Sequence, residues 1–129
     1  MGLNRRTFIG TGLAGAASLW IGQSAAAARA LSLPLHVAID TRLDGNAATM
    51  AQEHFAGAVL HTFDGDVTSL WFNTLDRLWS NRAIATAGFT RHSEFFLLRT
   101  LARDHGYRIA SSTSAADHVS WLLMPPGAD

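Results

Sequence analysis

The chain has 129 residues, ten basic against ten acidic side chains and 48% hydrophobic residues, enough for one small domain with a core of its own. It holds no cysteine, so disulfides, thiolate catalysis and cysteine-ligated metals or clusters are excluded. All ten basic residues are arginine, and the absence of lysine excludes a lysine-linked cofactor and a P-loop lysine alike. Codon bias in a GC-rich genome accounts for that preference without a functional cause.

The first thirty residues run from a charged head through an apolar middle to a small-residue exit. Arg5-Arg6 forms the head, Leu13 to Ile21 the densest apolar part, and Ala28-Arg29-Ala30 the exit. That order is the order of an export signal. Arg5, Arg6 and Phe8 resemble the twin-arginine signal, with Asn4, Ile9 and Gly10 where Ser or Thr, Leu and Lys are usual. The resemblance implies recognition by the twin-arginine translocase, passage across the bacterial inner membrane in a folded state, and a periplasmic protein. Residues 1–30 are expected to be removed after Ala30, with a cut after Ala27 as the other choice. An uncleaved inner-membrane anchor is the alternative, since no residue from Thr7 to Ala28 is charged and roughly 20 apolar residues cross a bilayer. Gly10, Gly12, Gly15 and Gly22 dilute the stretch and favour a signal over an anchor.

Residues 31–129 then make one domain in which seven arginines face ten acids. Arg42, Arg77, Arg82, Arg91, Arg99, Arg103 and Arg108 are scattered, so no basic patch points to nucleic acid. Membrane contact is expected only through the leader.

Leu35-His36-Val37-Ala38-Ile39 is a short apolar run ending at Asp40 and predicts a buried strand. After the turn Arg42–Asn46, the residues Ala47, Met50, Ala51, His54 and Phe55 fall at helical spacing, and Gly57 marks a stop. Ala58–Phe63 predicts a second strand, closed by Asp64-Gly65-Asp66. Asp66 is placed to cap a helix whose stripe, Val67, Leu70, Trp71, Leu75, Leu78 and Trp79, advances by three and four. Ala83–Gly88 predicts a third strand. Thr90 is placed to cap a third helix, with Glu94 in its first turn, Phe95, Leu98, Leu101 and Ala102 on one face, and Gly106 as its stop. Tyr107–Ala110 and Val119–Met124 predict the last strands, with Ser111 to Asp117 as the loop between them and Pro125-Pro126 ending the fold.

Three strand–helix units in succession predict a small three-layer α/β sandwich. Its sheet is expected to be mainly parallel, of about five strands, flavodoxin-like or Rossmann-like, with an antiparallel edge strand. In such sheets ligands lie beyond the carboxyl ends of the strands. That rim gathers Asp40, Thr41 and Arg42, then Asp64, Gly65 and Asp66, then Gly88, Thr90, Arg91 and His92, then Ser111 to Ser114. No glycine set on it approaches the dinucleotide fingerprint.

Within the rim, His61-x-x-Asp64-x-Asp66 joined by Asp40 could hold Mg²⁺ or Ca²⁺ through its three carboxylates. A turn at Asp64-Gly65 and a helix cap at Asp66 explain the same acids structurally, and His61 is expected to pack. Asp40-Thr41-Arg42 could grip an anion through the arginine fork, or form a surface ion pair beside a turn. Thr90-Arg91-His92 at a helix start is a candidate anion seat, or a plain capped terminus. Ser111–Ser114 with Asp117-His118 supplies only the names of a triad, without the nucleophile-elbow pattern. Trp71 and Trp79 share a helix face that suits a core, or a stripe for docking a partner.

Two functions fit these residues. One is a periplasmic accessory or binding protein of unknown ligand, carried as the companion of an exported redox enzyme. The other is a small divalent-metal-dependent enzyme built on the acid cluster. The domain resembles small, uncharacterised exported proteins of proteobacteria. No cofactor ligand set is evident.

Overall fold

Strand β1 (Leu35–Asp40) is buried along its whole length and lies at the heart of the sheet. Its alternation divides the fold: Leu35, Val37 and Ile39 join one apolar cluster, and Ala38 joins the other. The computed structural model describes residues 20, 23–43 and 57–127. The predicted helix over 47–55 and the signal residues Arg5, Arg6 and Phe8 lie outside the described residues.

Strands β2 (Val59–Phe63) and β3 (Ala85–Thr90) flank β1, both parallel to it. Strand β5 (Val119–Met124) runs antiparallel beside β3, and β4 (Arg108–Ser114) pairs antiparallel with β5 at the far edge. The resulting order is β2-β1-β3-β5-β4. The chain is thus mixed α/β over a five-stranded mixed sheet. The expectation of a mainly parallel sheet with one antiparallel edge strand needs correction. Two of the four ladders are antiparallel, and the reversed strand β5 is interior, between β3 and β4. The cause lies in composition: β5 is apolar and buried, whereas β4 reads RIASSTS and is exposed at every residue. An edge open to water accepts the serines and threonine that an inner strand would bury. The predicted loop from Ser111 therefore begins only after Ser114, with a bulge between Ile109 and Ser111.

On one face of the sheet sit helix α2, spanning Thr68–Leu70, Trp71–Leu75 and Asp76–Asn81, and helix α3 (His92–Arg103). The stripe read from the sequence is the stripe that packs: Val67, Leu75 and Trp79 are buried, with Leu70, Trp71 and Leu78 packed against them. The predicted continuous helix is interrupted, however, by a π turn at Trp71–Leu75, closed by the Asp76 N–H on the Trp71 carbonyl. Of the two tryptophans of this helix, Trp79 is the buried one, donating to the Thr86 hydroxyl at 3.1 Å, while Trp71 is only partly covered.

The other face, carrying Val37, Ile39, Ala87, Phe89 and Leu122, is met by residues that precede the predicted domain. Helix α1, residues 23–30 with Trp20 helical before it, presents Ser24 and Ala28 inward, each 1% exposed. Trp20 Nε1 donates to the Trp121 carbonyl at 3.0 Å. The helix ends in a Schellman motif. The Leu33 N–H reaches the Ala28 carbonyl at 2.9 Å and the Ser32 N–H the Arg29 carbonyl at 3.1 Å, with Ser32 left-handed at φ 56°.

Candidate functional site: a two-arginine cleft

The site is built at the end of β1, where Asp40 is fully buried. A carboxylate without water needs compensating donors and charge. Asp40 Oδ1 accepts the Arg42 N–H at 2.9 Å, which bends the chain back, and the Leu43 N–H meets the Asp40 carbonyl at 3.1 Å. Thr41 ties this turn to β2 by donating both its N–H and its hydroxyl to the Phe63 carbonyl, at 2.9 and 3.2 Å.

Two guanidinium groups close over the buried acid. Arg42 Nε lies 3.7 Å from Asp40 Oδ1, and Arg91 Nε lies 3.9 Å from Asp40 Oδ2. Asp64 gives Arg42 a second contact, with Oδ1 at 3.8 Å. Gly65 makes room for it: at φ +79° it adopts a left-handed conformation, and a Cβ there would overlap the Arg42 guanidinium. Each arginine approaches its acids through Nε, and more than two fifths of each side chain is exposed.

Between the two arginines opens a cleft of about 400 Å³, lined by Arg42, Leu43, Arg91, His92, Ser93, Ala116 and Asp117. Arg91 stands at the start of α3, where no side chain caps the helix. The backbone N–H groups of the first turn therefore add a positive end to the cleft. His92 Nε2 donates to the Ala115 carbonyl at 2.8 Å and so fastens the β4–β5 loop to α3. Asp117 pairs with His118 Nδ1 at 2.8 Å, and that bond holds its carboxyl below the usual carboxylate range.

Of the residues read from the sequence, Asp40, Arg42, Asp64, Arg91 and His92 come together here. Asp66 does not join them. It accepts the Thr68 N–H at 2.9 Å, which lowers its own pKa and ties it to the start of α2. Thr90, expected as a helix cap, is the last residue of β3 and fully buried. Its hydroxyl accepts Trp121 Nε1 at 3.0 Å and donates to the Arg91 carbonyl at 3.1 Å, so it anchors the core and offers nothing to a ligand. The shift follows from β3 running two residues beyond the predicted Gly88.

Among the described residues no three His, Asp or Glu side chains converge as metal ligands. Arg42 stands between Asp40 and Asp64, the place a cation would need. His61 turns to its strand neighbour instead, its Nε2 lying 2.9 Å from His36 Nδ1. Burial first, then the charges of His61 and Arg82, lower the His36 pKa to about 4. Burial lowers His61 as well.

Asp117 and Ala116 belong to the loop whose first residues, Ser111–Ser114, were placed on the rim; β4 runs on to Ser114, so the turn that reaches the cleft falls on them instead. Ser93 was legible in principle, one residue past the predicted Arg91-His92 anion seat. Comparison with family profiles, curated proteins and solved structures gives no match.

Proposed function

We propose that this is an exported binding or accessory protein whose Arg42–Arg91 cleft holds a small anion, either a free ligand or a carboxylate offered by its partner. The observation that supports this is the buried Asp40, which draws the Nε of both arginines to within 3.7 and 3.9 Å while more than two fifths of each side chain stays exposed beside the cleft. Guanidinium groups match carboxylate or phosphate oxygens two at a time. The finer fold reading agrees with the location. In a doubly wound, flavodoxin-like arrangement the crevice opens where strand order reverses, and β1 has its successor on one side and β3 on the other. The cleft lies beyond the ends of β1 and β3.

The twin-arginine leader supports export through the Tat translocase to the periplasm, and travel with an exported oxidoreductase is the partner reading that suits folded transport. The divalent-metal alternative has less support, since arginine lies among the acids it would use.

Thermal-shift and calorimetric titration with phosphate, citrate and succinate test the proposal. Millimolar anion should raise the melting temperature. Arg91→Gln should remove that rise while the chain still folds, at a lower starting melting temperature, because Gln keeps an N–H donor but not the charge beside Asp40. Asp64→Asn and Asp66→Asn should leave anion binding within about twofold, as Asn keeps turns and caps. Heat released on Mg²⁺ or Ca²⁺ addition and lost in Asp64→Asn would instead favour the metal reading.

A further inference from the structure

The sequence places an export cut between Ala30 and Leu31, and the fold places that same bond inside a closed helix terminus. We infer that Trp20 and helix α1, residues 23–30, are a working part of the folded domain, and that the chain keeps them after export. The docked helix withholds the Ala30–Leu31 bond from processing.

Three observations carry this. First, the helix covers apolar sheet surface: Ala28 belongs to the buried cluster of Leu35, Val37, Ile39, Ala87 and Phe89, with Trp20, Ala25 and Ala27 packed against it. Removing residues 1–30 would return that surface to water. Second, the contacts recur at the spacing of one helix face, since Trp20, Ser24 and Ala28 stand four apart. The Trp20 indole also donates to the carbonyl of Trp121, a fully buried residue. Third, the bond itself is held. Ala30–Leu31 lies between the two hydrogen bonds of the Schellman motif, Leu33 N–H to Ala28 and Ser32 N–H to Arg29. A protease needs an extended stretch of backbone, and here that stretch is helical, turned by left-handed Ser32 and fixed at Leu33 in the same cluster.

Trypsin reads this directly in the purified full chain, because Arg29 is exposed and only its backbone is constrained. Cleavage after Arg29 should run at least tenfold slower in the native chain than in urea. Ala28→Asp places a charge in the cluster and should bring the native rate up to the urea rate. Ser24→Ala removes a buried hydroxyl that meets no partner and should slow the cut further. That second variant decides the matter if Ala28→Asp does not fold. A native rate equal to the urea rate, or indifference to Ser24→Ala, would overturn the inference.

The in-cell readout rests on the export reading. The mass of the exported, C-terminally tagged chain should include Trp20, whereas a form beginning at Leu31 or Ala28 would overturn retention. A chain found only in the cytoplasm would count against export alone, with the trypsin rates still deciding the docking.

Discussion

Two glycines show how the absence of one carbon can serve different ends. At Gly65 the missing Cβ leaves a seat for the Arg42 guanidinium. At Gly88, inside β3, it leaves room for the ring of Trp121, its partner across the antiparallel ladder. That ring is fully buried, stacks on Phe95 with centroids 5.5 Å apart, and donates to Thr90. Trp121 so links β5, β3 and α3, and its carbonyl takes the indole of Trp20. Gly88→Ala should therefore overpack the centre and lower unfolding free energy by about 1–3 kcal/mol, read from the urea midpoint. A neutral result would mean that the Trp121 ring moves aside without loss. The glycine was visible in the sequence as a strand residue, but its role was not, because nothing local names the aromatic ring that crosses it.

At the scale of elements, the β1–β2 ladder carries a pH dependence of its own. His36 and His61 share one hydrogen bond, in which one ring nitrogen donates and the other accepts, so the accepting ring must be neutral and the two rings cannot both be charged. In the unfolded chain each ring titrates near 6.5, whereas the fold depresses His36 to about 4 and lowers His61. The unfolded chain thus binds more protons between those values. Stability is fully present above about pH 6.5 and is lost as pH falls toward about 4, by on the order of 2 kcal/mol. His36→Gln should flatten that slope in denaturation series at pH 7, 5.5 and 4.5, and an unchanged slope would assign the acid sensitivity elsewhere. Elements differ in how far the sequence revealed them. The α2 stripe was legible because helical spacing and burial coincide at Val67, Leu75 and Trp79, though the π turn between them left no mark in the pattern. Strand β5 was legible as a strand, and an antiparallel strand was expected, but at the sheet's edge and not between β3 and β4. Asp117 stayed hidden for another reason: the arginines stand at predicted strand ends, whereas β4 runs through Ser111–Ser114 and pushes the turn that faces them on to Ala116 and Asp117.

For the whole molecule, the address and the fold meet at the leader. Only Arg5, Arg6 and Phe8 carry the twin-arginine resemblance, so Arg5→Lys combined with Arg6→Lys should hold the tagged chain in the cytoplasm with its circular dichroism unchanged. Fractionation checks this, and normal export of the double variant would remove the basis for a periplasmic protein. Among the described residues no helix is long and apolar enough to cross a membrane. Helix α1 gives that fact an arithmetical edge. With Trp20 and residues 23–30 laid on the sheet, Thr7 to residue 19 is the uncharged chain left over, and as the helix that a bilayer demands 13 residues reach about 20 Å. The hydrocarbon layer is roughly 30 Å thick. If the segment serves as a leader, Trp20 and its neighbours are wanted in two places and can be in one: a leader threaded through the bilayer must first let go of Trp121, and one clasped to the sheet has let go of the bilayer.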